Sequence, residues 1–509
     1  MQRINMVYDA VIIGSGMGGL ASALILAKEG LKVLVLEKNN QLGGNLQTFS
    51  RHKAILDTGV HYLGGLDQGQ NLHTYFQYLG IYDRLELTRM DMDGFDIITF
   101  EGDPNRYPHA QGYDNFVARL LPYFPEEEEA LRKYCARIQE VCRWFPLYNL
   151  EAEGMYATDV LSVNARDFLD SLTGNEKLKA VLAGSSYLYA GIADKTPLYV
   201  HALSVNSYIE SAWRVGKGGS QITRALLREL KKHHATVLKR REVTSFLYED
   251  DELVGVSTRS GETFRGRKFI SNIDLKATVS LAGRFKKAFV NRVTLLQPVV
   301  AAFSLYIVFR PGCFAYENRN FYHLKKEDSA WSAQFYTEDT WPESYMASMA
   351  VRNAGDRYAE SMTCMTYMRF EEVAAWQHTF NTVADKGERG SGYDAFKRDR
   401  MERFLEEIEK KFPGIRDCIA TVEASTPLSY RDYIGGAGGN MYGYVRDSSR
   451  PLLTFVSPVS QIKNLYFTGQ TVNMHGILGV TIGAVATCGE ILGKKYLLDK
   501  INRETLTTP

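Results

Sequence analysis

The sequence contains few cysteines, and none stands in a pattern that binds a metal or marks a redox pair. Six of the 509 residues are cysteine, without a C-x-x-C pair and without histidine at ligand spacing. This distribution argues against a disulfide scaffold and against structural zinc, and it is typical of a reducing compartment. The six positions are Cys135, Cys142, Cys313, Cys364, Cys418 and Cys488.

Long hydrophobic runs are also missing. No stretch reaches the roughly 18 uninterrupted apolar residues that a membrane-spanning helix needs, so we expect none. The early apolar run after Arg3 is broken at Gly14 and no cleavage-site pattern follows, which favours a strand over a signal peptide. We therefore expect a cytoplasmic protein, with contact at a membrane surface left open.

Charge of one sign is not in excess. Lysine and arginine number 60, aspartate and glutamate 59, and the formal net charge is +1. No overall field favours a nucleic acid or an anionic membrane, and we expect no nucleic-acid partner. A Ser-His-Asp arrangement, a metal motif and internal repeats are missing too, so hydrolytic and metal chemistry have no candidate residues.

The first forty-odd residues carry the strongest signal that is present. An apolar run, YDAVII (8–13), is followed by GSGMGG (14–19), an apolar helix pattern and a second apolar run that ends in Glu37. Gly14 permits a tight turn, Gly16 lets a pyrophosphate approach the backbone, and Gly19 lets helix and strand pack closely. Glu37 is placed to accept hydrogen bonds from a ribose. This order predicts a dinucleotide-binding βαβ unit.

Several further strings are similar to one family of flavoproteins. They are the doublet Gly43-Gly44 after Glu37 and the strings at 56–65, 187–213, 425–444 and 465–480. Over the whole chain they resemble the retinol saturase (all-trans-retinol 13,14-reductase) branch of the phytoene desaturase and carotenoid isomerase family. Two departures from the desaturase pattern favour a saturase: Asn45 stands where arginine is common, and Gly469-Gln470 where Gly-Asp is frequent.

The resemblance implies FAD as the cofactor, bound by both ends of the chain. A glycine-opened helix over 475–492 would point its N-terminus at the isoalloxazine and stabilise the anionic reduced flavin. Val243 would lie beside the adenine through its backbone. The implied cofactor-binding residues are Gly14, Gly16, Gly18, Gly19, Glu37, Lys38, Gly43, Gly44, Asn45, Val243, Gly469, Gln470, Gly476, Leu478, Gly479 and Val480.

The expected fold is α/β, with an FAD-binding Rossmann-type domain of the amine-oxidase and glutathione-reductase-like kind and a discontinuous α+β substrate domain. We assign residues 1–110, 215–290 and 425–509 to the FAD-binding domain. Residues 111–214 and 291–424 are assigned to the substrate-binding lobe. A three-stranded meander is expected across the second of the FAD-binding segments, with turns at Asp250-Asp251 and Ser260-Gly261.

The substrate lobe is predicted to be apolar. Strands at 299–310, 329–338, 344–351 and 362–368 would form an antiparallel sheet rich in Tyr, Met and Phe above the flavin, suited to a long lipophilic ligand. An amphipathic helix is expected at 125–146. We favour packing of its apolar face on the protein over binding to a membrane.

The implied reaction is FAD-dependent chemistry on a carbon–carbon double bond of an isoprenoid polyene, with the saturase direction favoured. Proton-donor candidates are His61, Tyr62 and His475, although each could equally be a hydrogen-bonded loop residue. Because only one dinucleotide fingerprint is present, the electron donor or acceptor would be a carrier protein, a quinone or a nicotinamide that visits the substrate cavity.

Alternative functions remain open from the sequence. The same scaffold serves a redox-neutral cis–trans isomerase or a desaturase. A flavin-free prenyl-lipid-binding protein of the Rab GDP-dissociation inhibitor type is a further alternative, which the intact glycine set and Glu37 disfavour. An amine oxidase ranks lower because the strings match the polyene branch.

Overall fold

A computed structural model of the protein describes residues 6–154, 158–472 and 474–506. Its strands are β1 (Val7–Ile13), β2 (Val33–Leu36), β3 (Thr48–Arg51), β4 (Ala54–Asp57), β5 (Leu63–Gly64), β6 (Leu87–Arg89), β7 (Asp96–Phe100), β8 (Tyr107–His109), β9 (Ala212–Val215), β10 (Thr236–Leu238), β11 (Val243–Glu249), β12 (Glu252–Thr258), β13 (Thr263–Ser271), β14 (Ala301–Phe309), β15 (Asn320–Leu324), β16 (Ser344–Ala350), β17 (Ser361–Met368), β18 (Ile419–Ser425) and β19 (Leu465–Phe467).

The α-helices connect and cover these strands. They are α1 (Met17–Lys28), α2 (Asn71–Tyr78), α3 (Tyr113–Leu120), α4 (Glu128–Arg143), α5 (Thr158–Ser162), α6 (Ala165–Leu172), α7 (Glu176–Leu182), α8 (Leu198–Glu210), α9 (Ser220–Lys232), α10 (Leu275–Ala282), α11 (Lys287–Leu295), α12 (Ser329–Ser332), α13 (Ser391–Lys411), α14 (Ile415–Cys418), α15 (Pro427–Ile434), α16 (Pro451–Thr454), α17 (Gly476–Leu492) and α18 (Lys494–Leu506).

The first sheet has the doubly wound arrangement that the sequence predicts. Its order is β10-β2-β1-β13-β12-β11, and β19 also pairs with β13. β10, β2, β1, β13 and β19 run parallel, while β11 to β13 form the predicted antiparallel meander. Ala10 and Ile12 pack on α1, α9 and α17, whereas Val11 and Ile13 pack into the core on the opposite face. Both faces are buried, so β2 and the last four residues of β1 are apolar.

The second sheet is mainly antiparallel, in the order β18-β14-β17-β16-β15-β7-β8. The predicted strands at 299–310, 344–351 and 362–368 are β14, β16 and β17, and they pair antiparallel. The division into two domains stays a prediction. However, β7 and β8, which our division groups with the FAD-binding part, pair in this second sheet.

The predicted strand at 329–338 is wrong. This segment forms α12 and a turn of 3-10 helix, and the strand that pairs with β16 is β15. Ala330 and Trp331 are buried in succession, and Phe335 is exposed. A strand would bury alternate residues, whereas a helical turn can bury neighbours. The aromatic content of the segment therefore reflects packing on a helix.

The amphipathic helix packs on the protein, as we favoured. α4 spans Glu128–Arg143 within the predicted 125–146 and contacts α8. Its apolar face is buried, including Leu131, Tyr134 and Ile138. This face is therefore not available to a membrane. Among the described residues, no helix is both long and apolar enough to cross a membrane.

Two cysteines are joined, which the spacing of the cysteines did not indicate. Cys313, after β14, forms a disulfide with Cys418, the last residue of α14, directly before β18. The pairing follows from the antiparallel register, because Phe309 of β14 lies opposite Ile419 of β18. The other four cysteines are free and buried. The sequence separation of 105 residues hides such a contact from any local pattern.

Candidate flavin and substrate site

A long cavity opens where the parallel strands of the first sheet end. It measures about 600 Å³, and its lining includes Gly14 after β1, Glu37 after β2, Asn272 after β13 and Thr468 after β19. The carboxyl ends of parallel strands form the crevice in which α/β proteins bind nucleotides. The cavity therefore lies where the sequence predicts a dinucleotide.

The glycines of the fingerprint are held by close backbone contacts. Gly14 has a φ of +95°. A Cβ on Gly19 would lie 2.2 Å from the Gly14 carbonyl oxygen, so Gly19 serves helix–strand packing and does not line the cavity. A Cβ on Gly18 would lie 2.8 Å from Asn272 Oδ1. Each position thus requires glycine for a different steric reason.

The glycine doublet contacts the fingerprint directly. Gly43 and Gly16 form a parallel β-bridge, and a Cβ on Gly44 would lie 3.1 Å from Gly16 Cα. Gly43 and Gly44 both have positive φ, at +113° and +56°. The doublet therefore packs against the turn that faces the cavity, and neither contact would tolerate a side chain without movement.

Glu37 is fixed at the end of β2. Its Oε2 accepts hydrogen bonds from Ser15 N at 3.0 Å and Ser15 Oγ at 2.6 Å, and its Oε1 accepts one from Asn39 N at 2.8 Å. A carboxylate has about four acceptor sites, so it retains capacity for a ribose hydroxyl. The neighbouring Lys38 lines the same cavity and donates from Nζ to the Asp432 carbonyl. Burial lowers the pKa of Lys38.

The two departures from the desaturase pattern meet in space. Asn45 Nδ2 donates to Gln470 Oε1 at 3.3 Å. This contact joins the turn after β2 to the turn after β19, 425 residues apart in sequence. An amide pair replaces the arginine and aspartate that the desaturase pattern would bring here, so this sequence makes the contact without charge.

The C-terminal helix points its N-terminus at the cavity. α17 begins at Gly476, directly after His475, and Gly476, Ile477 and Val480 line the cavity. Free backbone N–H groups and the helix dipole at this end favour an anion. Gly469 and Gln470 line the cavity from the preceding turn, as does Val243 at the start of β11.

Two predicted cofactor residues line a second cavity instead. Leu478 and Gly479 face an apolar tunnel of about 440 Å³, bounded by α8, α17 and the segment 145–148. The tunnel adjoins the first cavity, called the flavin cavity below, because six residues line both. The shared residues are Leu63, Leu188, Tyr208, His475, Gly476 and Ile477.

The second sheet closes the flavin cavity with one row of side chains. Tyr322 of β15, Met346 of β16 and Met365 of β17 line the cavity and are cross-strand neighbours in register. Large, adaptable apolar side chains exclude water from the region. The predicted aromatic and methionine wall is thus present, built from β15 to β17.

One central residue has no counterpart in our sequence analysis. Asn272, which follows β13, contacts the fingerprint: its Nδ2 lies 3.3 Å from the Gly14 carbonyl oxygen, and its side chain limits the space at Gly18 and Gly469. Only the pairing of β13 with β1 brings it there. A polar residue directly after an apolar strand was the available signal, and it is a weak one.

The described residues fit a flavin dinucleotide. Thr468 Oγ1 is buried, lines the cavity and has no hydrogen-bond partner among the described residues. Gly16 and Gly18 line the cavity without a side chain at the N-terminus of α1, where a helix binds phosphate. The N-terminus of α1, the Glu37 carboxylate and the N-terminus of α17 thus line one cavity.

The three proton-donor candidates differ in their surroundings. His61 and Tyr62 line the flavin cavity, and burial together with the charge of Arg214 lowers the pKa of His61 to about 4. Burial, and then the nearby Asp96 charge, raises the pKa of Tyr62 well above its usual value. Tyr62 Oη lies 2.8 Å from both Asp96 Oδ2 and Tyr322 Oη.

His475 is committed to a structural contact. Its Nε2 lies 2.7 Å from the Leu188 carbonyl oxygen, so Nε2 carries the hydrogen, and its ring stacks on Tyr442. Burial lowers its pKa to about 4, the carbonyl bond acts in the opposite direction and the charge of Arg446 adds to the decrease. At neutral pH His475 therefore presents no positive charge to the cavity.

Comparisons with known proteins agree with this site. Residues 17–490 match the family of flavin containing amine oxidoreductases. The chain is 26% identical to all-trans-retinol 13,14-reductase of Rattus norvegicus, over 98% of this chain and 88% of that protein. It is 23% identical to prolycopene isomerase 1 of an Oncidium hybrid cultivar, over 94% and 82%. The predicted resemblance to the retinol saturase branch is confirmed.

A solved structure shows the same fold. Cyclohexylamine oxidase of Brevibacterium oxydans superposes with a TM-score of 0.62 at 16% identity, covering 98% of this chain and all of that one. The FAD-binding Rossmann-type fold that the sequence predicts is confirmed, and a flavin-free function is set aside. The chain belongs to the flavin containing amine oxidoreductase family and is an FAD-dependent oxidoreductase.

Proposed function

We propose that the protein saturates a carbon–carbon double bond of a lipophilic isoprenoid polyene, a retinoid- or carotenoid-like molecule. The observation that carries this proposal is the apolar tunnel between α8 and α17, which adjoins the flavin cavity and shares six lining residues with it. A long apolar ligand that enters the tunnel would meet the cavity at Tyr208 and His475, the side chains shared by both. The similarity to a retinol reductase supports the same substrate class.

We propose that the cofactor lies along the residues predicted from the sequence. The fingerprint and Glu37 would hold the adenosine end, and the N-terminus of α17 would face the ring end. Asn272 and Thr468 are added to the predicted set because of their positions in the cavity. Gly19 would act through packing, and Leu478 and Gly479 would contact the substrate.

FAD supplies hydride transfer and two electrons when bound. The protein must then supply a proton, a dry pocket and the orientation of the double bond. Met346 and Met365 would exclude water from the cavity that they line, and Tyr62 and Tyr322 line the same cavity. A neutral hydroxyl group carries no charge before it delivers its proton, so the dry cavity does not have to bury a charged acid.

The two histidines receive different roles. His475 would orient the start of α17 and Tyr442, since its N–H is used by the Leu188 carbonyl. His61, neutral because of its low pKa, would serve as a polar contact and not as an acid. Among the three sequence candidates, Tyr62 is therefore the one that we place in the proton transfer.

The decisive experiment identifies the product. Anaerobically photoreduced enzyme is incubated with all-trans-retinol, a carotenoid and a shorter isoprenoid, and the products are analysed by mass. A gain of two hydrogens with stoichiometric reoxidation of the flavin is expected. An unchanged mass with shifted chromatographic retention would instead establish an isomerase, the activity in the name of the Oncidium relative. No change with any polyene would overturn the proposed substrate class.

The physiological electron donor follows from the same geometry. The described glycine turns at 216–219 and 435–439 do not open a second nucleotide-binding βαβ unit, so we propose a carrier protein, a quinone or a nicotinamide that uses the substrate tunnel. Rapid, saturable reduction of the flavin by NADPH would select the nicotinamide and reject the carrier protein.

We also propose that the tunnel mouth rests on a membrane surface, from which the polyene enters. Phe455, Ser457 and Pro458 line the tunnel, and Leu452 beside them is 71% exposed. Arg292 of α11 donates to the Phe455 carbonyl, and Leu295 of the same helix is 73% exposed. Exposed apolar side chains next to basic groups suit an interface with anionic lipids.

This contact is tested by flotation with phosphatidylserine–phosphatidylcholine vesicles. Wild-type protein and a Val383→Glu control, changed at an equally exposed apolar side chain elsewhere, are expected to float with the vesicles. Leu452→Glu is expected to remain in the soluble fraction. Equal flotation of Leu452→Glu and the control would overturn the proposed membrane surface.

A further inference from the structure

Behind the flavin cavity, three buried groups form one hydrogen-bonded chain. Asp96, at the start of β7, lies 2.8 Å from Tyr62 Oη, which in turn lies 2.8 Å from Tyr322 Oη. Tyr62 and Tyr322 line the flavin cavity, whereas Asp96 lies behind them. Asn320 Nδ2 donates to Asp96 Oδ1 at 2.8 Å, so Oδ2 is the oxygen that faces Tyr62. The carboxyl group of Asp96 is completely buried.

We propose that Asp96 stores the proton consumed by the saturation and delivers it through Tyr62 and Tyr322 to the bound polyene. This inference rests on the proposed function and assigns a role to a residue that the sequence did not single out. Asp96 is a positioning and proton-storing residue, and Tyr322 is the catalytic residue that would touch the substrate.

The protonation state of Asp96 decides whether Tyr322 can donate a hydrogen to the substrate. With Asp96 ionised, the two tyrosine hydroxyl hydrogens are both used, since Tyr62 donates to Asp96 and Tyr322 donates to Tyr62. With Asp96 protonated, its hydroxyl donates to Tyr62, and Tyr62 donates to Tyr322. The Tyr322 hydroxyl hydrogen is then left to point into the cavity. A donor for the substrate therefore exists only when Asp96 carries a proton.

The backbone fixes this arrangement. β7 pairs parallel with β15, and Asp96 is the register partner of Asn320. Tyr322 lies two residues after Asn320 on the same face of the strand. Tyr62 arrives from the loop before β5, and its ring packs on Tyr208 at 4.3 Å between centroids. Three separate parts of the chain thus hold the Asp96 carboxyl group and the two tyrosine hydroxyl groups in one hydrogen-bonded series.

The surroundings favour the protonated form of Asp96 at pH values below about 7. Burial raises its pKa to about 7, while the bonds from Asn320 and Tyr62 and the charge of Arg214 act in the opposite direction. Arg214 is held by neutral oxygens, with Nη1 on Ser348 and Nη2 on the Arg319 carbonyl. The other titratable groups beside Asp96 are His109, its register partner on β8, whose pKa burial lowers to about 4, and Tyr62, Tyr208 and Tyr322, whose pKa values burial raises.

The proton balance of the step is complete. One carbon of the double bond would gain a hydride from the reduced flavin, which is oxidised, and the other would gain the Tyr322 hydroxyl hydrogen. Tyr322 would take the hydrogen of Tyr62, and Tyr62 that of Asp96, which becomes a carboxylate. One π bond, one Asp96 O–H bond and the flavin N–H bond that supplies the hydride would be lost, and two C–H bonds would form. Asp96 regains a proton from solvent before the next turnover.

The first test reads the protonation of Asp96 without any substrate. Infrared difference spectra are recorded on the purified holoenzyme as the pH is raised. We expect the carbonyl stretch of protonated carboxyl groups, lost near pH 7 and weakened in Asp96→Asn, where buried Asp57, whose pKa burial also raises to about 7, still contributes. The control Asp103→Asn changes an aspartate that also accepts from a tyrosine, Tyr107, but lies outside the cavity lining. It should retain the band. A wild-type spectrum without this band would overturn the relay.

The second test measures the single-turnover reoxidation of the reduced enzyme by all-trans-retinol against pH. In wild type the rate should fall above pH 7, and in Asp96→Asn it should be lower by about 100-fold and independent of pH. Asp96→Glu should restore the pH-dependent profile in part, with flavin content unchanged in each variant. A pH profile of Asp96→Asn identical to wild type would overturn the relay.

The two proposals fail in different ways. If no polyene reoxidises the wild-type flavin while the infrared band is present, the proposed function is wrong, whereas the protonation of Asp96 still stands. If polyenes are saturated but the band is missing, the proposed function stands and the relay is wrong.

Discussion

At the scale of single residues, the flavin site depends on positions where a side chain has no room. Gly44 has a φ of +56° and lies against Gly16, whereas Gly102, at +73°, lies in an exposed turn with open space around it. At both positions the positive φ would strain any other residue. Only at Gly44 would the new side chain also push the glycine doublet away from the fingerprint. Comparing them separates strain from loss of the cofactor cradle.

We expect Gly44→Ala to lose bound FAD, while Gly102→Ala keeps it. Backbone strain should lower the free energy of unfolding by about 1 kcal/mol in each variant. The measurement is flavin absorbance per polypeptide after purification, together with urea unfolding of the apoprotein. Equal flavin content in the two variants would contradict the role of the doublet.

Asp96 makes a second prediction at the same scale, on the pH dependence of stability. Its folded pKa of about 7 lies above the ordinary value of 3.8. Between these values the folded state holds a proton that the unfolded state has lost, so its stabilising effect is full at low pH and is lost as pH rises. As the pH rises from about 4 to 7, the free energy of unfolding of wild type should therefore fall relative to that of Asp96→Asn.

The expected slope of that difference is at most about 1.4 kcal/mol per pH unit between pH 4 and 7. Urea unfolding at each pH measures it. Asp251→Asn, at an exposed turn, serves as the control and should follow wild type. A difference between wild type and Asp96→Asn that does not change with pH would show that Asp96 is not protonated in the folded protein.

At the scale of elements, the tunnel is lined by residues of both α8 and α17. α8 buries most of its residues, and Ser204 lies half-buried at the tunnel wall. Its Oγ donates to the Val200 carbonyl of the same helix. A ligand in the tunnel therefore does not have to break this hydrogen bond. Helix packing therefore leaves a gap that can be filled by a larger side chain at this position without rebuilding the sheet.

Ser204→Trp should block access to the flavin. We expect polyene turnover to fall by about tenfold or more, with flavin content and the far-ultraviolet circular dichroism unchanged. The matched control is Ser171→Trp, an exposed helical serine whose hydroxyl also bonds to a backbone carbonyl of the preceding turn. If both variants turn over the polyene equally, the tunnel is not the substrate route.

At the scale of the whole molecule, contacts between distant segments hold the two sheets and the termini in place. α1 packs on α17, and Cys488 of α17 contacts the Ser22 carbonyl of α1. The Cys313–Cys418 disulfide closes a loop that contains β15, β16 and β17, the strands that supply the cavity wall. The bridge therefore constrains much of the second sheet in the unfolded chain.

We expect Cys313→Ser to lower the free energy of unfolding by about 2–4 kcal/mol. Reductant should bring wild type to the same value and leave the variant unchanged. Thiol titration of the denatured protein should give four thiols without reductant and all six cysteines with it. Six thiols without reductant would show that the bridge does not form.

The sequence by itself determined the local elements and their chemistry. β1, the glycine turn, α1, β2 and Glu37 are contiguous, so sterics and hydrophobic period specify them within about thirty residues. The same holds for the helix after His475. In contrast, the prediction of a strand at 329–338 is wrong, because the period of a short aromatic run does not distinguish a strand from a helical turn.

Only the tertiary structure decided which distant residues meet. Asn272 reaches the fingerprint through the pairing of β13 with β1, and Asp96 reaches Tyr62 and Tyr322 through the pairing of β7 with β15. The bond between Asn45 and Gln470 and the Cys313–Cys418 bridge arise in the same way. Strand register and burial are properties of the assembled chain, so these contacts, and the raised pKa that burial gives Asp96, have no local signature in the sequence.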